Sequence, residues 1–555
     1  MDRKHFLQIF GFSLAGLLLR STAEGSGPGD YLMEYPDEVW IETGGKWILL
    51  KKDGRGEFYF RDVSIRIHHI DREVQLFADS PTQELEAVRF KWKFRSDPAA
   101  RCLGDSWERT YGDISWQQPA RDKKMPWYFL QLDKQSVNCF GVKTGCGSIC
   151  YWEAEPEALL LTCDTRCGGA GVLLGQRQLH LADILATKSL GGETVFQTGQ
   201  RFCTLMCPTP RLPKQPVYGI NDWYFAYGNN SASLILGNTA LMSELVTDTD
   251  NRPFSVIDAG WAAYSPQLPG DCCWQDDYSR PNEKFRDMHK VAGGIRNLGM
   301  RPGLWTRPLG ASYRDKMSVC LPLIPGRDNP KTPVLDPSIE ENIERIKGNF
   351  LLYRQWGYEL VKHDYTTYDM FGKWGFQMTD TLTASGWNFY DRTRTTAEII
   401  NRLYTAIRTA AGEIYLIGCN TMSHLAAGLF ELNRIGDDTS GNEWERTRKM
   451  GVNTLGFRII QHRHFYEADG DCVGLTTKVP WEKNKQWMQL LAQSSTPLFI
   501  SAEPDALGTA QKKFIKKSFA EAAVPQPIGE PLDWLETTLP AKWKLDGDIV
   551  VFDWS

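Results

Sequence analysis

The chain has 555 residues and a formal net charge of −5, from 63 Lys and Arg against 68 Asp and Glu. That balance excludes an electrostatic nucleic-acid binder, which needs a basic surface. With 42% hydrophobic and 24% charged residues the chain is globular and not disordered, and its length accommodates two or three domains.

Aromatic residues are in excess: 12% of the chain, with 20 Trp. Flat rings with one polar edge suit concave sites for amphiphilic ligands, sugars among them.

In chain order, residues 1–23 read as an export signal. Arg3-Lys4-His5 is a basic start, Phe6 to Leu19 is an apolar run of 14 residues, and Arg20-Ser21-Thr22-Ala23 is a small-residue cleavage zone. The run is too short to span a bilayer comfortably, and no other approaches the roughly 20 residues a spanning helix needs. Arg3-Lys4 is similar to a twin-arginine signal with Lys in the second place, so either export route fits. Residues 24–35 form a Gly-rich linker. The expectation is a bacterial protein, periplasmic or secreted, without a membrane span once mature.

Residues 36–207 carry a β pattern. Val88 to Arg95 alternates apolar and basic without a break, which puts one face inward and one in water. Trp47 to Leu50, Phe58 to Phe60 and Ser64 to Ile67 read as further strands, and no long helical repeat interrupts them. An antiparallel β-sandwich follows. Gly168-Gly169-Ala170-Gly171 fits neither a dinucleotide fingerprint nor a phosphate loop and reads as a strand turn. The 13 Cys include three C-x3-C spacings (Cys146/Cys150, Cys163/Cys167, Cys203/Cys207), none of zinc-finger type.

Residues 208–216 hold four Pro in nine positions and mark a stiff linker. From 217 to 524 short apolar runs fall at 217–221, 254–258, 301–306, 358–363, 414–418, 432–436, 453–457 and 497–501, with helical spacings between several. Ile339, Ile343, Ile346, Phe350 and Tyr353 share one helix face, started by Asp336-Pro337-Ser338. Eight strands with helical crossovers predict a (β/α)8 TIM barrel. Residues 525–555 add a short C-terminal β segment.

Catalytic groups of such a barrel sit at the C-terminal strand ends. Those ends read Asn221-Asp222-Trp223, Asp258-Ala259-Gly260-Trp261, Trp305-Thr306-Arg307, Lys362-His363-Asp364, Cys419-Asn420 and Arg434-Ile435-Gly436-Asp437-Asp438. Paired carboxylates in an aromatic-lined mouth suit glycoside cleavage, one attacking an oxocarbenium-like centre while the other protonates the leaving oxygen. A rival metal site would use His462, His464, Asp469 and Asp471, because alternate strand residues share a face.

These motifs resemble the α-galactosidase clan of glycoside hydrolases, families 27 and 36, over about 217–505. Lys362-His363-Asp364 is similar to the clan's Lys-x-Asp motif, and the resemblance implies that Asp364 is the nucleophile. Arg434 to Asp438 is similar to its Arg-x-x-x-Asp motif and implies Asp438, in preference to Asp437, as acid/base. Val256 to Trp261 resembles the segment that holds the sugar hydroxyls, with Ala259 where the clan has a second Asp; Cys419-Asn420 stands where family 27 has Cys-Glu. The implied substrate-binding residues are Trp223, Asp258, Trp261, Trp305, Lys362, Cys419, Asn420 and Arg434, with no metal and no cofactor. The implied activity is a retaining exo-α-glycosidase acting on an oligosaccharide or polysaccharide, α-galactosidase by default. α-N-acetylgalactosamine or β-L-arabinopyranose as glycon, transglycosylation, and non-catalytic carbohydrate binding are the alternatives.

Overall fold

The computed structural model describes residues 35–264 and 277–555, apart from 55, 72, 135, 248 and 249. The predicted export signal (1–23) and all but the last residue of the linker (24–35) lie outside the described residues.

Two antiparallel sheets occupy the first half. A six-stranded sheet runs in the order 46–49, 38–43, 87–93, 158–164, 149–154, 125–126. An eight-stranded sheet joins 51–52, 58–60, 63–70, 73–79, 179–188, 137–142, 128–132 and 101–104. The alternation seen in sequence is real: Ala87–Lys93 buries Val88, Phe90 and Trp92 and turns Arg89 and Lys91 outward. The sheets face each other through aromatic rings, Trp152 of the first lying 6.1 and 6.2 Å from Phe129 and Phe140 of the second. One prediction fails here. Residues 195–206 form a helix, Val195–Met206, inside the stretch expected to be all β. Thr194 and Gln197 close a capping box at its start, and Phe196, Phe202 and Met206 are buried beneath it.

The second half is built on a nine-stranded parallel sheet: β1 (Tyr218–Asn221), β2 (Phe254–Ile257), β3 (Arg301–Thr306), β4 (Leu360–His363), β5 (Tyr415–Gly418), β6 (Leu432–Arg434), β7 (Glu467–Asp469), β8 (Cys472–Leu475) and β9 (Leu498–Ala502). The order β7-β6-β5-β4-β3-β2-β1-β9-β8 ends on two strands that are consecutive in the chain. Only Gly470 and Asp471 separate them, and Asp471 has the left-handed φ of 73°. The sheet therefore curls until its edges meet through one bent segment.

The run 453–457, expected as a strand, is helical (Thr454–Arg458) and follows a π-helical stretch, Arg448–Asn453. Asn453-Thr454-Leu455-Gly456-Phe457 is too short for its pattern to separate a buried turn of helix from a strand. The predicted cap at Asp336 is also displaced. The helix Glu340–Trp356 begins after Ile339, and the Asp336 carboxylate accepts bonds from Ser338 instead. A three-stranded antiparallel sheet (Glu530–Pro531, Lys542–Leu545, Asp548–Val551) ends the chain as described. No helix among the described residues is long and apolar enough to cross a membrane.

Candidate active site

The C-terminal ends of the parallel strands open on a cavity of about 290 Å³. Its lining includes Trp223 after β1, Asp258 after β2, Trp305 on β3, Lys362 on β4, Asp364 just beyond it, and Asp437 and Asp438 after β6.

Asp364 is placed from both sides. Its backbone N–H donates to Thr306 of β3 at 3.0 Å. The Trp305 indole donates to Oδ2 at 3.0 Å, and the Tyr365 backbone N–H donates to Oδ1 at 2.8 Å. Tyr365 holds a left-handed φ of 66°, a strained conformation for a residue with a side chain. The strain turns the chain immediately after Asp364 and leaves that carboxylate half-buried at the cavity wall.

Lys362 and Asp258 form the cavity's deep charge pair at 2.8 Å, both buried. Burial opposes the lysine's charge, but Asp258 outweighs it, so its pKa lies well above the ordinary value. Asn221 donates to the same Asp258 oxygen at 2.8 Å, and the Ala259 backbone N–H donates to the other. Asp222 accepts the Asp258 backbone N–H at 2.7 Å and an Asn230 amide at 2.8 Å. Burial and the neighbouring Asp258 push the Asp222 carboxyl up to about 7. Gly260 makes this turn possible: at φ 118° it lies against Gly228 and Asn230, where a Cβ would collide.

The two adjacent carboxylates after β6 have different surroundings. Asp437 is clamped by Arg109 at 2.8 Å and Arg446 at 2.6 Å. Asp438 is more open, its side chain 36% exposed, with Arg434 at 3.3 Å and Arg109 at 3.6 Å. Burial raises its pKa, yet Arg109, Arg434, Lys362 and Arg446 outweigh that and hold it at about 2.

Four residues predicted to touch substrate lie behind the wall. Trp261 is fully buried, its indole N–H bonded to the Trp305 carbonyl at 2.8 Å and its ring packed on Tyr353 and Trp356. Arg434 is fully buried and bonded to Asp438 and Asp471. Cys419 sits beneath it, 3.6 Å from the Arg434 guanidinium. Asn420 donates to Glu108 and accepts from the Tyr368 backbone at 2.9 Å. Each stands at or beyond a strand end, but its side chain is taken up by these neighbours. The residues of the rival metal reading are tied elsewhere: His464 bonds Thr204, His462 accepts the Ala468 backbone N–H, and Asp471 receives Arg434.

Several lining residues had no signal at the strand ends. Arg109 and Tyr111 come from the β-sandwich half, and Trp374 and Phe376 from the segment after the helix Thr366–Phe371. Thr110 pairs with Gly436 as a one-residue parallel bridge, its N–H donating to the Ile435 carbonyl at 2.9 Å while Asp437 N–H donates back at 2.8 Å. Gly436 is packed against Met450 and Thr454, and a Cβ there would collide with both. Glu108 ties the sandwich to the other segment. It accepts the Gly375 N–H at 2.7 Å, the Tyr111 hydroxyl and the Asn420 amide. Burial pushes its carboxyl up to about 7 although three groups donate into it. The 11 cysteines among the described residues are all buried and free.

No family model matches the chain, and no curated protein sequence matches it. Solved structures do: the fold is that of the family 36 α-galactosidases of the glycoside hydrolases. The α-galactosidase of Thermus thermophilus, solved with p-nitrophenyl α-D-galactopyranoside, superposes with a TM-score of 0.61 at 18% identity, over 93% of this chain and 99% of that one. A Geobacillus stearothermophilus family 36 α-galactosidase with 1-deoxygalactonojirimycin gives 0.58 at 14% identity, over 86% and 69%. The Lactobacillus brevis α-galactosidase gives 0.58 at 12%, over 88% and 68%.

Proposed function

We propose that the chain is a retaining exo-α-glycosidase that removes terminal α-galactosyl groups. The observation that carries this reading is the joint placement of Asp364 and Asp438 on one cavity whose deep end is the Lys362–Asp258 pair. At about 290 Å³ the cavity lies at the small end of the roughly 300–1,000 Å³ of ligand sites, suited to one sugar ring and not to a chain. Complexes of the structural neighbours with p-nitrophenyl α-galactoside, stachyose and raffinose support the glycon. On this reading the curled sheet is a (β/α)8 barrel with its seventh strand broken into β7 and β8.

Asp364 attacks the anomeric carbon while Asp438 protonates the departing oxygen; water activated by Asp438 then releases the sugar. Such carboxyls stand about 5–5.5 Å apart, with no room for water between them. The Trp305 indole and the Tyr365 N–H each donate to one oxygen of Asp364 and so aim its carboxylate. Asp437 is committed to two arginines, whereas Asp438 retains exposure toward the ligand, which favours Asp438 as acid/base. At about 2 the Asp438 carboxyl is ionised in the free protein, the form that the base half of the cycle starts from. For the acid half, a sugar that displaces water from the cavity raises the carboxyl by desolvation. Lys362 and Asp258 take the hydroxyls at the deep end. The two-carboxylate chemistry runs without a metal or cofactor.

The test is turnover of a panel of nitrophenyl glycosides that includes the α-galactoside, α-N-acetylgalactosaminide and β-L-arabinopyranoside, with NMR observation of the first anomer released. Preferential cleavage of the α-galactoside with the α-anomer first is expected. The β-anomer first would overturn retention, and binding without turnover on the whole panel would leave a carbohydrate-binding protein. Residues 1–23 are proposed as a removed export signal, checked by N-terminal sequencing of protein recovered from the periplasm or medium.

A further inference from the structure

The cavity has a depth gradient. Trp305, Asp258 and Lys362 at one end are 1%, 2% and 8% exposed, whereas the Asp438 side chain is 36% exposed and Phe376 55%. An acid that protonates the leaving oxygen must lie beside it, so the group that oxygen carries occupies the open end, not the floor. What stands at that end is an aromatic corner outside the parallel strands. Phe376 and Tyr111 meet edge to face with ring centroids 4.8 Å apart. Trp374 stacks on Tyr368 at 4.3 Å, and Arg109 lies over the Trp374 ring at 5.4 Å. Phe376 is 55% exposed, so a ligand face laid on it would remove apolar surface from water, which is favourable.

The corner is also held in place. Glu108 accepts the Tyr111 hydroxyl and the Gly375 N–H, which fixes the two segments that carry the rings against each other. Gly375 admits this contact, because a Cβ there would lie 2.8 Å from the Glu108 side chain. A platform ordered before the ligand arrives loses little entropy on binding.

We infer that Phe376, braced by Tyr111, is the aglycone platform of this site, stacking the apolar face of the sugar ring to which the terminal glycosyl group is attached. The inference rests on the glycosidase reading above and deepens it: the preferred substrates are oligosaccharides, not glycosides of small alcohols. Nothing in the strand-end motifs encodes this preference, since both rings come from segments outside the parallel strands.

The experiment compares kcat/KM for raffinose, whose galactosyl group is carried by sucrose, with that for methyl α-galactopyranoside, whose aglycone is one methyl group. Wild type, F376A and F376W are measured on both. F376A is expected to lower the raffinose value about tenfold more than the methyl galactoside value, the size of one lost ring contact. The loss is expected mainly in KM, with F376W restoring most of it. Equal losses on the two substrates, or no loss on raffinose, overturn the platform while leaving the glycosidase reading intact. Wild type inactive on both substrates overturns both. Because Phe376 is exposed, the F376A protein keeps its fold, checked by an unchanged melting temperature.

Discussion

Arg109 and Asp437 meet at 2.8 Å although one lies in the segment after the antiparallel strand 101–104 and the other in the segment after β6. The same guanidinium reaches Asp438 at 3.6 Å and Cys419 at 3.7 Å. One side chain from the first half thus pairs with both carboxylates in the second.

R109Q should therefore act twice. Breaking a buried pair leaves an uncompensated charge, but Arg446 still holds Asp437 at 2.6 Å, so the loss is expected near the low end, about 3 kcal/mol, by denaturant unfolding. It also removes the first of the cations that hold Asp438 at about 2, so that pKa rises. An acid loses activity as pH climbs through its pKa, and kcat reports the complex, in which bound sugar has raised the Asp438 carboxyl. The basic limb of the kcat profile should move to higher pH in R109Q. An unmoved limb would remove Arg109 from the electrostatics of Asp438.

The two carboxylates separate by their leaving-group dependence. D364N should lower kcat/KM by on the order of 10⁴-fold or more on every α-galactoside. D438A should cost about 10²–10⁴-fold on raffinose but less on p-nitrophenyl α-galactoside, whose phenolate leaves without a proton. Azide, a nucleophile that needs no base, should restore turnover of D438A and not of D364N. Equal sensitivity of both variants to leaving group and azide would contradict the assignment.

Trp305 offers Asp364 a hydrogen bond that Phe lacks. A bond to a charged group contributes about 1.5–3 kcal/mol, so W305F should lower kcat about ten- to a hundredfold if that energy is realised in the transition state. A larger effect on KM than on kcat would mean that Trp305 serves as a wall alone.

Stability should peak in mild acid. Burial, the first cause in each case, raises Glu108 to about 7, Asp222 to about 7, Asp469 to about 6 and Glu467 to about 8. Between the ordinary carboxyl range and these values the unfolded chain binds fewer protons, so stability falls as pH rises. Asp438, held at about 2, acts oppositely: its contribution is present above the ordinary range and lost as pH drops toward 2. The melting temperature is expected to be highest near about pH 4–5 and to decline toward pH 8. A melting temperature that rises across pH 5–8 would contradict this balance.

The parallel strands were legible because each is a short apolar run bounded by turn residues, and Asp258, Lys362, Asp364 and Asp438 could be placed at strand ends by counting. The seventh strand was not. Glu467-Ala468-Asp469 is too polar to read as a strand, and the apolar run at 453–457 took its place. Trp261 shows the limit of position as evidence: it follows β2 as a wall residue would, yet Tyr353 and Trp356 draw its ring into the core. Arg109 and Tyr111 were invisible because their role depends on Thr110 meeting Ile435, 325 residues away, which no local spacing encodes.

That Thr110–Gly436 bridge makes the two halves unequal parts of one site. Cut within the proline-rich stretch at 208–216, the chain would yield one fragment with the candidate nucleophile and acid/base and another with Arg109 and Tyr111. Activity regained when the fragments are mixed would then report association between them. The cavity would become a sensor of whether the halves are joined, and a change in either half would be selected against a surface that the other half supplies.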